Sequence, residues 1–308
     1  MAIVVLGTVF VDIKGFPNDA YSPTGRNAGW VEIVHGGVGR NVAEDIANME
    51  LRPKLVSIVD DTASGAEVLA KLRDHKVNTD HVLVRPDGMG LWLAVFDNAG
   101  DLAGSISKRP DMDALAELLE EKGNEIFADA DSIVVEIDMD REIIKQVFRF
   151  ARKYSKKVFA VVSNMTIAAE RRDFLQSVDC FVCNQQEAGI LLSCDLEDAT
   201  PSQMLAVLVE RLPQAGPQSM VVTMGAQGSV FAGMDGRAGT CPAQKVEVVD
   251  TTGAGDAFFA GVAVGLTYGK DLAGACKIGT RLSASVIGTE ENVCQRFSPQ
   301  ELGIDVPC

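Results

Sequence analysis

Asp250-Thr251-Thr252-Gly253-Ala254-Gly255-Asp256-Ala257-Phe258-Phe259-Ala260-Gly261 joins a glycine-rich turn to an apolar helix, and the rest of the chain reads outward from it. Gly253 and Gly255 let the backbone approach a ligand closely, and the helix that follows starts with N–H groups that have no intrahelical partner. Those donors and the positive end of the helix dipole make an anion site that needs no lysine. Asp256 stands in the first turn, where it could take a proton from a hydroxyl attacking a bound phosphate. The plainer alternative is a glycine-rich turn in which Asp256 only caps the helix. Ala257, Gly261 and Gly265 recur at i, i+4 and i+8, a small-residue face on which this helix can pack tightly.

Upstream, short apolar runs alternate with helical periodicity, the pattern of a mostly parallel sheet wrapped by helices. Strands are expected at Ile3 to Leu6, Lys54 to Ile58, Ser132 to Glu136, Val158 to Val162, Cys180 to Cys183 and Met220 to Thr223. Val42, Ile46 and Met49, and again Ile143, Val147 and Phe150, form helical stripes between them. Residues 8–35 and 82–108 break the alternation and read as β structure without helices, a small lid on one α/β body spanning 1–308. In the second stretch Leu91 to Phe96 is apolar on both faces and ends in the hairpin turn Asp97-Asn98-Ala99-Gly100. A strand of that kind calls for cover on both sides, substrate on one and a second subunit on the other.

A second glycine-rich turn, His35-Gly36-Gly37-Val38-Gly39-Arg40-Asn41, opens the helix that carries the Val42 stripe. Asn41 is expected in its first turn, facing the strand ends where ligands gather in open α/β sheets. The turn is not a dinucleotide fingerprint, because Val42 occupies the third glycine position. A Walker A loop is also missing; Gly265 to Asp271 comes nearest, with wrong spacing and a final Asp. Asn184-Gln185-Gln186-Glu187 reads as a capping box after a strand, and its carboxylate could still reach Mg²⁺ through water. Thr223-Met224-Gly225-Ala226-Gln227-Gly228 ends another strand with a hydroxyl and exposed backbone, and Asp12 follows the alternating segment Thr8 to Val11. Asp12 either binds substrate hydroxyls or ends an edge strand.

Composition narrows the partners. The formal charge of −15 argues against nucleic acid or an anionic membrane, and no apolar run reaches the length of a membrane helix. Met1 to Leu6 lacks the basic start and cleavage site of a signal peptide, so cytoplasm is the expected compartment. Seven cysteines, an odd number in apolar segments, suit reduced core thiols. Cys180 and Cys183 match C-x-x-C, but residues three apart on a strand face opposite sides. Three histidines with no close pair give little support to His-metal or Ser-His-Asp chemistry.

Gly36 to Asn41 and Asp250 to Asp256, in that order and at that separation, resemble the PfkB carbohydrate-kinase family, also called ribokinase-like. The resemblance runs from Gly7 and Asp12 to the last helix. It implies a doubly wound α/β body with a β lid, often shared across a homodimer, and ATP with Mg²⁺ as cofactors, a monovalent cation being an optional activator. By the same resemblance Asp256 is the catalytic base, and the backbone of Gly253, Ala254 and Gly255 is the anion hole. Asn184 and Glu187 match the N-x-x-E element that positions magnesium and phosphate. Thr223, Gly225 and Gly228 match the nucleotide-side turn, and Asp12, Gly37 and Asn41 match positions that hold substrate hydroxyls. The wording of Gly36 to Asn41 and of the Leu91 to Asp101 segment looks more like the pseudouridine-kinase branch than like ribokinase itself. Ser163-Asn164-Met165 departs from the family, since many relatives carry an acidic residue there. The substrate expected is a small sugar or nucleoside, pseudouridine or a related ribonucleoside first. A sugar phosphate paired with Lys108 and Arg109, a non-catalytic ligand-binding relative and a nucleotide-cofactor dehydrogenase are the alternatives.

Overall fold

The computed structural model describes residues 2–170 and 172–306. Among them, nine strands form the main sheet. These are β1 (Ala2–Leu6), β4 (Lys54–Val59), β5 (Asn78–Val84), β8 (Ala130–Glu136), β9 (Val158–Val161), β10 (Cys180–Asn184), β11 (Ser219–Thr223), β12 (Ser229–Gly233) and β13 (Ala238–Cys241). Their spatial order is β13-β12-β11-β10-β9-β8-β1-β4-β5, parallel except for the β11-β12-β13 edge. The six strands expected from the sequence all lie in it. Order reverses beside β1, which pairs with both β4 and β8, so the crevice for ligands opens above the C-terminal ends of these strands.

Helices cover both faces, and each face has its own apolar layer. One layer holds α3 (Ala114–Phe127), α4 (Arg141–Tyr154), α7 (Gln185–Leu192) and α8 (Pro201–Ala215), after the short α5 (Met165–Ala169) and α6 (Arg172–Leu175). The other holds α1 (Val38–Asn48), α2 (Ala63–Asp74), α9 (Ala254–Thr267) and α10 (Leu272–Ile287). Cys183 belongs to the first layer and Cys180 to the second, so the alternation of β10 does hold the two thiols apart. The small-residue face of α9 meets α10. A side chain at Gly261 would come within 2.7 Å of the Gly279 backbone, which is why glycine allows the two helices to touch there.

A separate four-stranded sheet, ordered β3-β2-β6-β7, is built from β2 (Phe10–Pro17), β3 (Gly29–Gly36), β6 (Gly90–Phe96) and β7 (Leu102–Lys108). The expected second lid stretch began at residue 82, and this is corrected: residues 82–84 are the end of β5 and pair with β4 in the main sheet. The β6-β7 turn is held by Asp97, whose Oδ1 accepts from Ala99 N and Asp101 N, with Gly100 at φ +84°. Strand alternation sorts this small sheet into two faces. Phe10, Asp12, Lys14 and Phe16 look the same way as Trp92 and Phe96, while Ile13, Ile33, Leu93 and Ile106 form a row on the other side.

Candidate active site

Gly253 adopts a left-handed conformation, φ +78° and ψ −9°, and ends the loop that delivers the chain to α9. Its missing side chain is required twice over. The φ favours glycine, and a Cβ would overlap the backbone carbonyl of Asn292. α9 starts with no side-chain cap, so its first N–H groups face the crevice. Two cavities open on either side of this turn. One is lined by Thr8, Phe10, Asp12, Gly37, Asn41, Trp92, Gly253 and Asp256, among others. The second is lined by Thr223, Gly225, Gly228, Ala254, Gly255 and Phe258, with Thr280 and Ser283 of α10. The expected substrate residues thus lie together in the first, the expected nucleotide-turn residues in the second, and the expected anion hole between them.

The base candidate is held from the second glycine-rich turn. Gly37, at φ +95°, links the end of β3 to α1 as the residue before the helix, and Asn41 Nδ2 donates to Asp256 Oδ2 at 2.7 Å. Burial pushes the Asp256 carboxyl up to about 6; the Asn41 bond and the Arg40 charge pull it down, and Asp12 pushes it up. Asp12 is raised too, chiefly by burial, with Lys14 and Arg40 opposing. Its carboxylate lies over Gly36, in the space a side chain there would fill.

The description "pfkB family carbohydrate kinase" matches residues 2–294. The chain belongs to that family. Guanosine-inosine kinase of Exiguobacterium acetylicum is 36% identical over 295 residues, covering 94% of this chain and 95% of that protein. Pseudouridine kinase of Escherichia coli is 26% identical over 263 residues, covering 85% and 82%. Ribokinase of Arabidopsis thaliana, solved with ribose and ATP, superposes with a TM-score of 0.85 at 22% identity, over 98% of this chain and 99% of that one. The fold is therefore ribokinase-like, and the protein is a phosphotransferase of the sugar and nucleoside kinases.

In this kinase, Asn184 and Glu187 form the expected capping box of α7: Asn184 Oδ1 accepts from Glu187 N, and Glu187 Oε2 accepts from Asn184 N, each at 2.8 Å. Both residues stand outside the two cavity linings. Burial raises the Glu187 carboxyl, and Asp138 and Asp256 raise it further, so three carboxylates share one field above the strand ends. Among the described residues no three acidic, His or Cys side chains gather closely enough to hold a bare ion. The arrangement fits a hydrated Mg²⁺, which keeps most of its water and meets protein through one or two carboxylates.

Several site residues were missed from the sequence. Glu136, at the end of β8, accepts from Thr8 N at 2.7 Å and Gly39 N at 2.6 Å, fixing the first strand's exit and the start of α1 together. Burial, then Asp138, pushes its carboxyl up to about 8. Asp138 accepts from Ser163 N, Ser163 Oγ and Asn164 N, and pairs with Arg109 Nη2 at 3.5 Å. The departure at Ser163-Asn164 therefore stands against a carboxylate supplied by the neighbouring strand end. A carboxylate closing an apolar strand, as in Val134-Val135-Glu136-Ile137-Asp138, is the signal that could have found both residues.

Proposed function

We propose that the protein transfers the terminal phosphate of ATP to a ribose hydroxyl of a ribonucleoside, with Asp256 as general base. The observation that carries this reading is the α9 turn standing between two cavities, one polar and aromatic with Asp256 on its wall, the other beside Thr223 and Gly228. The acceptor hydroxyl gives its proton to the Asp256 carboxylate as the oxygen attacks, and the N–H groups of Gly253, Ala254 and Gly255 face the charge that builds on the moving phosphoryl group. Asp12 and Asn41 orient the ribose. Glu187, with Asp138, would meet the water shell of the Mg²⁺ that neutralises the phosphates. A monovalent cation enters as a supplement in the assay below.

A nucleoside is favoured over a free sugar because Phe10 and Trp92 line the acceptor cavity, whose volume of about 410 Å³ leaves room for a base as well as ribose. The names of the two curated relatives point the same way, and the higher identity ranks a purine nucleoside of the guanosine or inosine kind above pseudouridine. ADP production measured with guanosine, inosine, pseudouridine, uridine, ribose and fructose 1-phosphate, with and without K⁺, should give the highest kcat/KM to a nucleoside. Trp92→Ala should raise its KM about tenfold or more, in line with the roughly 1–3 kcal/mol of a base–aromatic stack. A free sugar or sugar phosphate leading by more than tenfold ends the nucleoside reading, and Arg109 then becomes the side chain to change.

The same reading includes a homodimer joined through the lid. The expectation from sequence put Trp92 and its neighbours in that interface, as too apolar for a strand facing water, but Trp92 itself lines the acceptor cavity. The row open to solvent is on the other face, where Ile33 is 65%, Leu93 39% and Ile106 69% exposed. Across the strands these residues are in register through Ile13, a continuous apolar band suited to a second copy. Sedimentation at micromolar concentration should give twice the chain mass, and Ile33→Glu with Ile106→Glu should give one. A monomeric wild-type protein refutes the interface.

A further inference from the structure

Arg40 is one of the largest side chains fully buried among the described residues, and a cation in that position needs an account. It lies one residue before Asn41 yet takes no part in lining the acceptor cavity. Its Nη1 donates to Glu44 Oε2 at 2.6 Å, and Glu44 is itself fully buried, with Lys71 Nζ and His75 Nδ1 beyond at 3.6 and 3.4 Å. Its Nη2 donates to the His35 carbonyl and, at 3.0 Å, to Asn292 Oδ1. Asn292 Nδ2 donates to the same His35 carbonyl at 2.8 Å. The guanidinium therefore ties the end of β3 and the first turns of α1 to the 292 segment, 252 residues away.

Each of those segments supports one part of the site. His35 precedes Gly36, where the lid strand ends under the Asp12 carboxylate. Asn41 holds the base Asp256. Asn292 packs its backbone against Gly253, the residue that shapes the anion-binding turn. The 292 segment is fastened again to α1, by Cys294 N donating to Asp45 Oδ1 at 2.6 Å and Asn48 Nδ2 donating to Cys294 O at 2.7 Å.

We infer that Arg40 is a positioning residue that couples the acceptor side of the site to the phosphate side, so that filling one cavity tightens binding in the other. The inference rests on the kinase reading of the two cavities and does not depend on which acceptor proves best. A planar fork with fixed donors suits this task, because it holds two oxygens at a set angle while its charge is satisfied by Glu44. The coupling is carried by a chain of direct hydrogen bonds between His35, Arg40 and Asn292, and the two ligands would each favour the same arrangement of that chain.

The test is a titration of a non-hydrolysable ATP analogue with Mg²⁺, with and without saturating guanosine, or the leading acceptor of the panel where that differs. In the wild-type protein the acceptor should tighten analogue binding about fivefold or more. In Arg40→Met with Glu44→Leu, which removes the buried pair together, that factor should fall below about twofold, with each affinity measured alone changing less than about threefold. Asn292→Ala leaves the Arg40–Glu44 pair in place and cuts only the link to the phosphate side. It should lose the synergy as well, and it serves if the double variant fails to fold. Arg40→Lys keeps the charge without the fork and should not restore the coupling. Full synergy in Asn292→Ala or in the double variant overturns the inference, as does a wild-type protein with no synergy. A different acceptor class leading the panel bears on the nucleoside reading alone.

Discussion

Asp256→Asn should lower kcat by roughly 10² to 10⁴, the range for losing a positioned general base, while ATP affinity changes little. The substitution is nearly isosteric, and the Asn41 amide at 2.7 Å can still find an oxygen at position 256, so the effect reads the missing base and not a moved backbone. Steady-state kinetics with saturating acceptor, together with a binding titration of the ATP analogue, separate the two quantities. Turnover within threefold of wild type would remove Asp256 from the mechanism. The same carboxylate sets a pH dependence. A base works only when ionised, and burial raises this one to about 6, so kcat/KM should be full above that value and fall tenfold per unit as the pH drops through it. Asn41→Ala removes a bond that favours the ionised form, so the acid limb should move to higher pH.

The sequence made the strands and the two glycine-rich turns legible because each depends on local rules: an apolar run of strand length, a positive φ, an uncapped helix start. Pairing across the fold is less local. Glu136 meets Gly39 across 97 residues and Arg40 meets Asn292 across 252, and no spacing or periodicity in either segment records those partnerships. The lid shows the same division. The unbroken apolar run Leu91 to Phe96 announced a strand with two demanding faces, but which face turned to the cavity depended on register with β2, and register is set by pairing. For the same reason β5 was read into the lid: its residues 82–84 look like any half-buried strand, and only their pairing with β4 places them in the main sheet. The capping box at Asn184 to Glu187 was fully legible, since both of its bonds lie within four residues.

Burial does most to keep the proposed base Asp256 from behaving as an exposed acid, and the carboxylates above the strand ends add to it. Asp138 raises Glu136 and Glu187, Asp256 raises Glu187, and Asp12 raises Asp256. Like charges held this close resist full ionisation, and the field they make is one that a hydrated divalent cation and the Arg40 guanidinium both relieve. The cation would act from the solvent side and Arg40 from the core side, where it lowers Asp256 and Asp12 together.

Gly253→Ala should be among the most damaging small changes in the protein, and Gly255→Ala, two residues on, among the mildest for folding. At 253 a left-handed backbone with a side chain costs about 1 to 3 kcal/mol by itself. The added methyl also overlaps the Asn292 carbonyl, and that segment cannot easily withdraw, because Arg40, His35, Asp45 and Asn48 all hold it. The turn must move instead. A shift of about 1 Å there misplaces the phosphate donors and Asp256 together, and losses near 10² to 10³ in kcat/KM follow from misalignment of that size. At 255 no heavy atom stands within 4 Å of the new methyl, so the fold should keep its stability within about 0.5 kcal/mol. Gly255 lines the cavity proposed for the nucleotide, however, so its variant should show a raised KM for ATP with the acceptor KM unchanged. Thermal unfolding and two-substrate kinetics on the two variants test the contrast. Equal stability and equal activity for both would mean that the Gly253 turn is neither clamped by Asn292 nor the seat of the phosphate.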